Sequence, residues 1–194
     1  KFEFLTGQKL RSWIQKKFSE YGSRISSDAE QLLIESVGGD LWRLNNEIQK
    51  LCLYEKGIGV EREDVKLMVR PTIEADIFKT INALAERDKK LALRLIYRHL
   101  IRGESPIYLL SMINYQFRNL LIIKDLMEKA VPYGAIAKRA GLHPFVVKKT
   151  FYQCQRFKMQ DLKKIYLMIF QADLEVKTGK IQPEAMLETL ILQV

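Results

Sequence analysis

Residues 107–126 read IYLLSMINYQFRNLLIIKDL, and this stretch decides the fold class of the chain. Its apolar side chains recur at intervals of three and four residues, which is the spacing of one face of an α-helix. The positions that carry this pattern are Leu110, Ile113, Phe117 and Leu120. Because apolar residues occupy nearly every side of the segment, we expect a helix that is buried on more than one side.

The same helical periodicity continues in both directions, and no strand pattern longer than a few residues appears. Phe2 and Phe4 alternate with polar neighbours and predict only a short extended lead-in. Upstream of residue 70 we predict four short helices. Downstream we predict seven, at 74–87, 89–102, 106–129, 133–140, 144–157, 159–177 and 184–194. The sequence therefore predicts an all-α protein.

The best candidate for a domain boundary is Arg70-Pro71-Thr72, because proline pushes the residue before it out of the helical region. The charge balance changes at the same place. Residues 1–72 carry 12 basic and 11 acidic side chains, whereas residues 73–194 carry 20 and 12. We therefore predict a small helical bundle at 1–71 and a larger one at 73–194.

The 194 residues are 47% hydrophobic and 28% charged, which is typical of a folded globular chain. No run of 18 apolar residues is present, so a membrane-spanning helix is not expected. The net charge is +9, and residues 130–180 alone hold ten basic and three acidic side chains. Such a concentration attracts polyanions, most commonly nucleic acid; a solvated basic helix surface is the alternative. The chain opens with Lys1 rather than Met, from which we expect a piece of a longer polypeptide.

The sequence contains no phosphate-binding loop, no serine-nucleophile motif and no HExxH motif. His99 follows Leu95 and Ile96 at helical spacing and is expected to be a half-buried packing residue rather than a base. Cys52 and Cys154 lie in predicted helices without CxxC spacing, which favours reduced thiols in the cytoplasm over a zinc cluster. We expect no catalytic residue, no cofactor, no bound metal and a cytoplasmic location.

Asp173 falls on the apolar face of its predicted helix, after Leu162, Tyr166 and Ile169. An unpaired buried charge costs several kcal/mol, so this carboxylate requires a partner. The candidates are Lys177 one turn later, and Arg118 or Lys124 on the neighbouring long helix. We interpret Asp173 as one half of a structural ion pair.

Residues 134–147 have the spacing of a helix-turn-helix motif, with a small residue at Ala137, a turn glycine at Gly141 and an apolar residue at Val147. Lys148 and Lys149 lie on the second helix. A DNA-binding regulator that reads the major groove is therefore an alternative function for the chain.

Five segments together resemble the delta-subunit family of the bacterial DNA polymerase III clamp loader, in the form found in Gram-positive bacteria. They are Val37-Gly38-Gly39-Asp40-Leu41, Leu44–Leu51, Gln116-Phe117-Arg118, Gly141–Lys148 and Asp173–Gly179. Their order and spacing extend across essentially the whole chain. The resemblance implies that residues 1–71 form an AAA+ lid and that residues 73–194 form a helical collar domain. The N-terminal AAA+ module of the family is missing from this sequence.

The resemblance implies a role in DNA replication rather than a reaction. The subunit would be a non-hydrolysing part of the DNA polymerase III holoenzyme, a nucleotidyltransferase complex. It would scaffold the pentamer that loads the sliding beta clamp onto primed DNA. The implied partners are the delta-prime and tau/gamma motor subunits, primer–template DNA, and the beta clamp mainly through the missing module; no membrane is implied.

The lid offers an internal check on this role. ATP-sensing lids of the family usually read Gly-Asp-x-Arg, whereas this chain has Gly39-Asp40-Leu41-Trp42. Trp42 carries no positive charge, and Arg43 is rotated by about 100° around the helix. The resemblance therefore implies that nucleotide sensing is lost at Trp42, which disfavours a third hypothesis, an ATPase fragment with a working lid.

By resemblance, two collar turns lie near the primer–template junction, at residues 143–145 and 177–180. An aromatic or imidazole ring there can stack on an exposed base, and lysines can neutralise phosphates without reading sequence. The residues assigned to this surface are His143, Phe145, Lys148, Lys149, Lys177, Thr178 and Lys180. Alternatively, Thr178 and Gly179 only end a helix.

Apolar helix faces point to subunit contacts. The helix at 107–126 has more apolar surface than one neighbour covers, so part of it is expected to face other collars. The stripe of the last helix fits an interface and the domain's own core equally well. Its members are Leu187, Leu190, Ile191 and Val194.

Overall fold

A computed structural model describes residues 5–55 and 59–194, and these residues form eleven α-helices. The helices are α1 (Gly7–Glu20), α2 (Ser27–Val37), α3 (Leu41–Glu55), α4 (Arg62–Met68), α5 (Ile73–Ala85), α6 (Lys89–Ile101), α7 (Pro106–Glu128), α8 (Tyr133–Ala140), α9 (Pro144–Cys154), α10 (Met159–Lys177) and α11 (Pro183–Gln193). Within the described residues, the only β interaction is an isolated bridge between Ile25 and Val60. The all-α prediction is confirmed. The lead-in predicted at Phe2 and Phe4 lies outside the described residues.

The chain divides into two compact units, Lys1–Ala75 and Asp76–Val194. The division falls inside α5, a few residues after the boundary that Pro71 predicts. Thr72 begins α5 because its hydroxyl accepts a hydrogen bond from the backbone N–H of Ala75, at 3.0 Å. A helix that starts at the predicted boundary therefore continues into the second unit.

The first unit packs α1 to α4 around one hydrophobic core. Its fully buried side chains include Ile14, Phe18, Leu33, Leu44, Ile48 and Leu51. Side-chain caps fix two of the helix starts: Ser26 accepts from the N–H of Ala29, and Asp40 accepts from the N–H of Arg43 at 3.0 Å. Glu30 is almost fully buried and is held by Arg11 of α1 at 3.1 Å.

The second unit is built around α7, which packs against α8, α9, α10 and α11. The buried residues of α7 include Leu109, Ile113, Phe117, Leu120 and Ile123. The apolar residues around most of the circumference of α7 are therefore covered largely by other helices of the same unit. Along the described ranges, no helix is long and apolar enough to cross a membrane.

The last helix, α11, turns its apolar stripe into the core of the second unit. Leu187, Leu190 and Ile191 are all buried there, and Val194 is half-buried. The sequence left two roles open for this stripe, an interface with another subunit or the domain's own core. The burial of these side chains within the unit supports the core.

We expect Leu44→Ala, which empties a fully buried site in α3, to lower the free energy of unfolding by about 2–5 kcal/mol. The matched control is Leu53→Ala on the same helix, because Leu53 is 74% exposed; it should cost less than about 0.5 kcal/mol. The chain's two tryptophans, Trp13 and Trp42, both lie in the first unit. Urea unfolding followed by tryptophan fluorescence therefore reports on this unit, and equal losses for the two variants would contradict the core described here.

Candidate nucleic-acid interface

A three-residue turn, residues 141–143, joins α8 to α9 where the sequence predicts a helix-turn-helix motif. Gly141 adopts the left-handed conformation, with φ of +66°, in which a side chain would be strained. His143 then caps α9, because its Nδ1 accepts a hydrogen bond from the N–H of Phe145 at 3.1 Å. Val147 is buried beneath the turn. The geometry thus gives His143 a capping contact within the protein.

Phe145 and Lys149 contact each other beside this turn. The Lys149 ammonium lies 4.5 Å from the centroid of the Phe145 ring and 5.3 Å from that of Phe78. A cation between two ring faces is stabilised by both. Lys149 is half-buried in this arrangement, whereas Lys148 is exposed. Of the two lysines assigned to the turn, Lys148 therefore presents its charge outward.

The second predicted turn follows the carboxyl end of α10. The Thr178 hydroxyl donates to the carbonyl of Leu174 at 2.8 Å, and Gly179 has φ of +71°. These contacts end the helix, as the simpler interpretation of Thr178 and Gly179 requires. Thr178 and Lys180 are both exposed. The turn therefore combines a helix stop with an accessible basic surface.

Asp173 accepts a hydrogen bond from Lys177 one turn later, with Nζ and Oδ2 2.6 Å apart. Its side chain is 25% exposed, so it lies at the edge of the apolar face rather than beneath it. Arg118 forms no ion pair with Asp173 in the described part of the chain; its guanidinium lies over the ring of Tyr115. Lys124 donates instead to the carbonyl of Cys154. A carboxylate at the edge of the apolar face keeps some contact with water, so the local lysine is a sufficient partner.

Trp42 lies in the first turn of α3 and is 77% exposed. Arg43 beside it is exposed as well, and its backbone N–H is taken up by the Asp40 cap. The position after Leu41 thus presents an exposed indole ring rather than a positive charge.

An exposed apolar stripe runs along the outer face of α10. It consists of Leu167, Phe170 and Leu174, which are 66%, 61% and 45% exposed and are spaced three and four residues apart. We call these three residues the α10 stripe. Periodicity did not reveal this exposure, because the opposite face, with Leu162 and Ile169, is apolar too and the pattern does not show which face other helices cover.

A buried ionic cluster joins α5 to α6. Asp76 is completely buried; its Oδ2 lies 3.1 Å from Nε2 of His99 and 2.9 Å from the Arg98 guanidinium. Lys79 lies 3.4 Å from the other carboxylate oxygen. The sequence predicts a half-buried packing role for His99, but the side chain is only 2% exposed because it bonds the buried carboxylate of Asp76. Periodicity could not reveal this partner, since the two residues lie on different helices.

The charge state of Asp76 follows from two opposing effects. Burial raises the pKa of Asp76, but the hydrogen bond with His99 and the positive charges of Arg98 and Lys79 together outweigh it. The net result is a pKa below the ordinary value for an aspartate. The cluster therefore keeps a carboxylate ionised in the interior, which suits a structural role.

A buried network of hydrogen bonds between uncharged side chains connects α5, α7 and α9. The side-chain amide of Gln116 donates to Gln153 Oε1 at 2.8 Å and to Thr150 Oγ1 at 3.1 Å. Gln153 in turn donates to the carbonyl of Phe78 at 2.8 Å and to Asn82 Oδ1 at 2.9 Å. Buried amides with satisfied partners fix helix register, because shifting one helix would leave several polar atoms unpaired.

The cysteines are free thiols in protected surroundings. Cys154 is buried, and burial raises its pKa to about 12. Cys52 is half-buried, and burial raises its pKa as well. Across residues 5–55 and 59–194, no three His, Cys, Asp or Glu side chains are grouped so that they could hold a metal ion.

Residues 74–194 match the family model for the C-terminal domain of the DNA polymerase III delta subunit. The chain belongs to the DNA polymerase III delta-subunit family. The match includes the turns at residues 143–145 and 177–180, the α10 stripe and the Asp76 cluster.

Two curated relatives extend the similarity into the first unit. The chain is 34% identical over 173 residues to the DNA polymerase III subunit delta of Bacillus subtilis, covering 87% of this chain and 49% of the relative. It is 23% identical over 172 residues to the probable DNA polymerase III subunit delta of Aquifex aeolicus, with the same two coverages. The chain thus spans about half the length of the curated relatives that it matches.

A solved structure of the Bacillus subtilis DNA clamp loader delta protein has the same fold. It superimposes with a TM-score of 0.92 at 30% identity, over 99% of this chain and 57% of that one. The delta-subunit fold therefore includes the residues that precede the family-model match.

We expect Asp76→Asn to lower the free energy of unfolding by about 3 kcal/mol at neutral pH, because it removes the carboxylate from a buried ionic cluster. The folded pKa of Asp76 lies below the unfolded value of 3.8. Its contribution is therefore fully present above pH 3.8 and is lost as the pH falls through the folded pKa. The difference between wild type and variant should be largest at neutral pH and should shrink below pH 3.8.

The control is Asp125→Asn, which removes an exposed ion pair with Lys129 and should cost less than about 0.5 kcal/mol. Urea denaturation followed by circular dichroism across this pH range measures both variants. A wild-type advantage over Asp76→Asn that does not change with pH would contradict the ionised state of Asp76.

Proposed function

We propose that this chain is the lid and collar portion of a clamp-loader delta subunit, with residues 1–71 as the AAA+ lid and residues 73–194 as the collar. In this role it scaffolds the pentamer that opens the sliding beta clamp and loads it onto primed DNA. Membership of the delta-subunit family is the observation that carries the proposal. The name of the Bacillus subtilis structural relative, a DNA clamp loader protein, supports it.

The lid geometry supports a subunit that does not hydrolyse ATP. Trp42 is neutral and points into solvent at the position where ATP-sensing lids place arginine. A nucleotide's phosphates are held chiefly by positive charge and backbone N–H groups. The Trp42 side chain offers no positive charge, and Asp40 already occupies the N–H of Arg43.

The α10 stripe supports assembly with other subunits. Three large apolar side chains on one outer helix face are typical of a surface that another protein covers. We infer that this face contacts a neighbouring collar, with the delta-prime or tau/gamma motor subunits as partners. The beta clamp would be contacted mainly by the N-terminal module of the family.

Phe170→Asp in the full-length protein should abolish or strongly weaken co-purification with delta-prime and the motor subunits, because a charge replaces an apolar contact at the centre of the α10 stripe. The matched control is Ile101→Asp, which introduces the same charge at a side chain that is 85% exposed at the end of α6. Normal assembly of the Phe170→Asp protein would contradict this use of α10.

The basic turns support contact with primer–template DNA. Lys148 and Lys180 are exposed, and Lys177 is largely exposed although it pairs with Asp173. Lysines that contact phosphates release counterions, so their contribution to affinity falls as the salt concentration rises. These side chains would hold DNA without reading its sequence.

Reversing both charges, with Lys177→Glu and Lys180→Glu, should weaken clamp loading on primed DNA more at low salt than at high salt. Lys9→Glu with Lys16→Glu changes the net charge equally at two exposed positions of α1 and serves as the control. The measurement is loading rate against salt concentration. A loss that is independent of salt, or equal in the control, would contradict the phosphate contacts.

The helix-turn-helix shape at Gly141 favours a second candidate, a DNA-binding regulator. That function requires tight binding to one duplex sequence over others. An anisotropy screen of random duplexes separates the two candidates, because the clamp-loader role predicts binding that does not depend on sequence.

A further inference from the structure

Three aromatic rings form a cluster where α8 begins and α9 ends. Tyr133 packs edge-on against Phe151 with ring centroids 5.0 Å apart, and Phe151 packs edge-on against Tyr152 at 6.3 Å. Phe151 is half-buried, whereas Tyr133 and Tyr152 are 51% and 61% exposed. Burial raises the pKa of Tyr133, and the nearby Tyr152 acts in the same direction. Two exposed tyrosines thus both pack against one half-buried phenylalanine.

The chain segment that carries this cluster is basic, although Glu86 pairs with Arg156 just after α9 and Asp125 pairs with Lys129. From residue 129 to residue 160 the sequence contains seven lysines and arginines and no aspartate or glutamate. Lys148 precedes Tyr152 by one helical turn, so the two lie on the same outer face of α9, and both are exposed. Lys138 and Arg139 of α8 are exposed too, and in the part of the chain that the structure describes neither forms an ion pair. The surroundings therefore suit a polyanion.

Aromatic rings and lysines have different uses on nucleic acid. Lysines neutralise phosphates on single and double strands alike. An exposed tyrosine ring gains stacking energy only from an unpaired base, because bases within a duplex already stack on their neighbours. The edge-on contacts with Phe151 restrict the tyrosine rings in advance, so less side-chain entropy is lost on binding.

We propose that Tyr133 and Tyr152 form a stacking site for unpaired bases of a single-stranded nucleic acid, with Lys148 neutralising an adjacent phosphate. The proposal rests on the DNA-facing role of this helix pair and adds a specific requirement for bases. Phe151 is a positioning residue that supports the two rings. This site is separate from His143 and Phe145, whose side chains are engaged in the cap and with Lys149.

The test compares two single-stranded probes with the 194-residue chain at low salt. One is a fluorescein-labelled oligothymidylate of about 16 nucleotides, and the other is an abasic strand of equal length, which keeps the phosphates and lacks the bases. Fluorescence anisotropy gives both affinities. The wild type should prefer the base-containing strand by about fivefold or more.

Tyr152→Ala and Tyr133→Ala should each reduce this preference, whereas Tyr152→Phe should keep it because the ring remains. Tyr108→Ala, at an exposed tyrosine of α7, is the matched control and should leave the preference unchanged. Lys148→Glu should weaken binding of both strands by a similar factor. Circular dichroism verifies that each variant is folded.

Two results would overturn the inference: equal wild-type affinity for the two strands, or a preference that persists in both tyrosine-to-alanine variants. If Lys148→Glu still weakens binding in either case, the phosphate contacts of the proposed function survive and only the stacking site is lost. If the wild type binds neither strand nor primed duplex, the DNA-facing role fails together with the stacking site.

Discussion

The second unit depends on the burial of α7 on several sides. A helix with apolar residues around most of its circumference is stable in water only when other helices cover it, and α8, α9, α10 and α11 do so. The hydrogen bonds from Gln116 to Gln153, and from Gln153 to the carbonyl of Phe78, make this packing specific. They link α7 to α9 and α9 to α5 at a fixed register. Hydrophobic burial supplies most of the stability, and the amides specify one arrangement.

This arrangement determines which surfaces remain available. Once α9 and α10 have turned one face each towards α7, their outer faces carry Lys148 and Tyr152 in one case and the α10 stripe in the other. The Asp76 cluster joins α5 to α6, and the His143 cap fixes the start of α9. The proposed nucleic-acid contacts at Lys148 and Tyr152 thus lie on α9, and the proposed protein contacts lie on α10, which also ends in the basic turn at Lys177 and Lys180.

Local structure was predictable from the sequence. The seven predicted helices of the second unit begin within one residue and end within three residues of the observed ones, because periodicity, prolines and turn glycines act over short distances. The pairing of Asp173 with Lys177 was predictable for the same reason, because residues four apart on a helix are neighbours.

Contacts between helices were not predictable in the same way. Asp76 and His99, or Tyr133 and Tyr152, are brought together by packing, and periodicity contains no information about which helices meet. The sequence nevertheless contained a signal for the first pair. Asp76 stands among the apolar residues Ala75, Ile77 and Phe78, which indicates that its carboxylate is buried and needs a partner. The same argument predicted a partner for Asp173. The exposure of the α10 stripe carried no signal, because both faces of that helix are apolar.

Reconstitution of clamp loading on primed DNA is the most direct measurement of the proposed role. Motor subunits, delta-prime and beta clamp are combined with and without the full-length protein, and ATP turnover is followed for the assembly and for the protein alone. A non-hydrolysing scaffold predicts that loading requires the protein and that the protein alone turns over no ATP. Loading that proceeds without it, or ATP turnover by the isolated protein, would contradict that role.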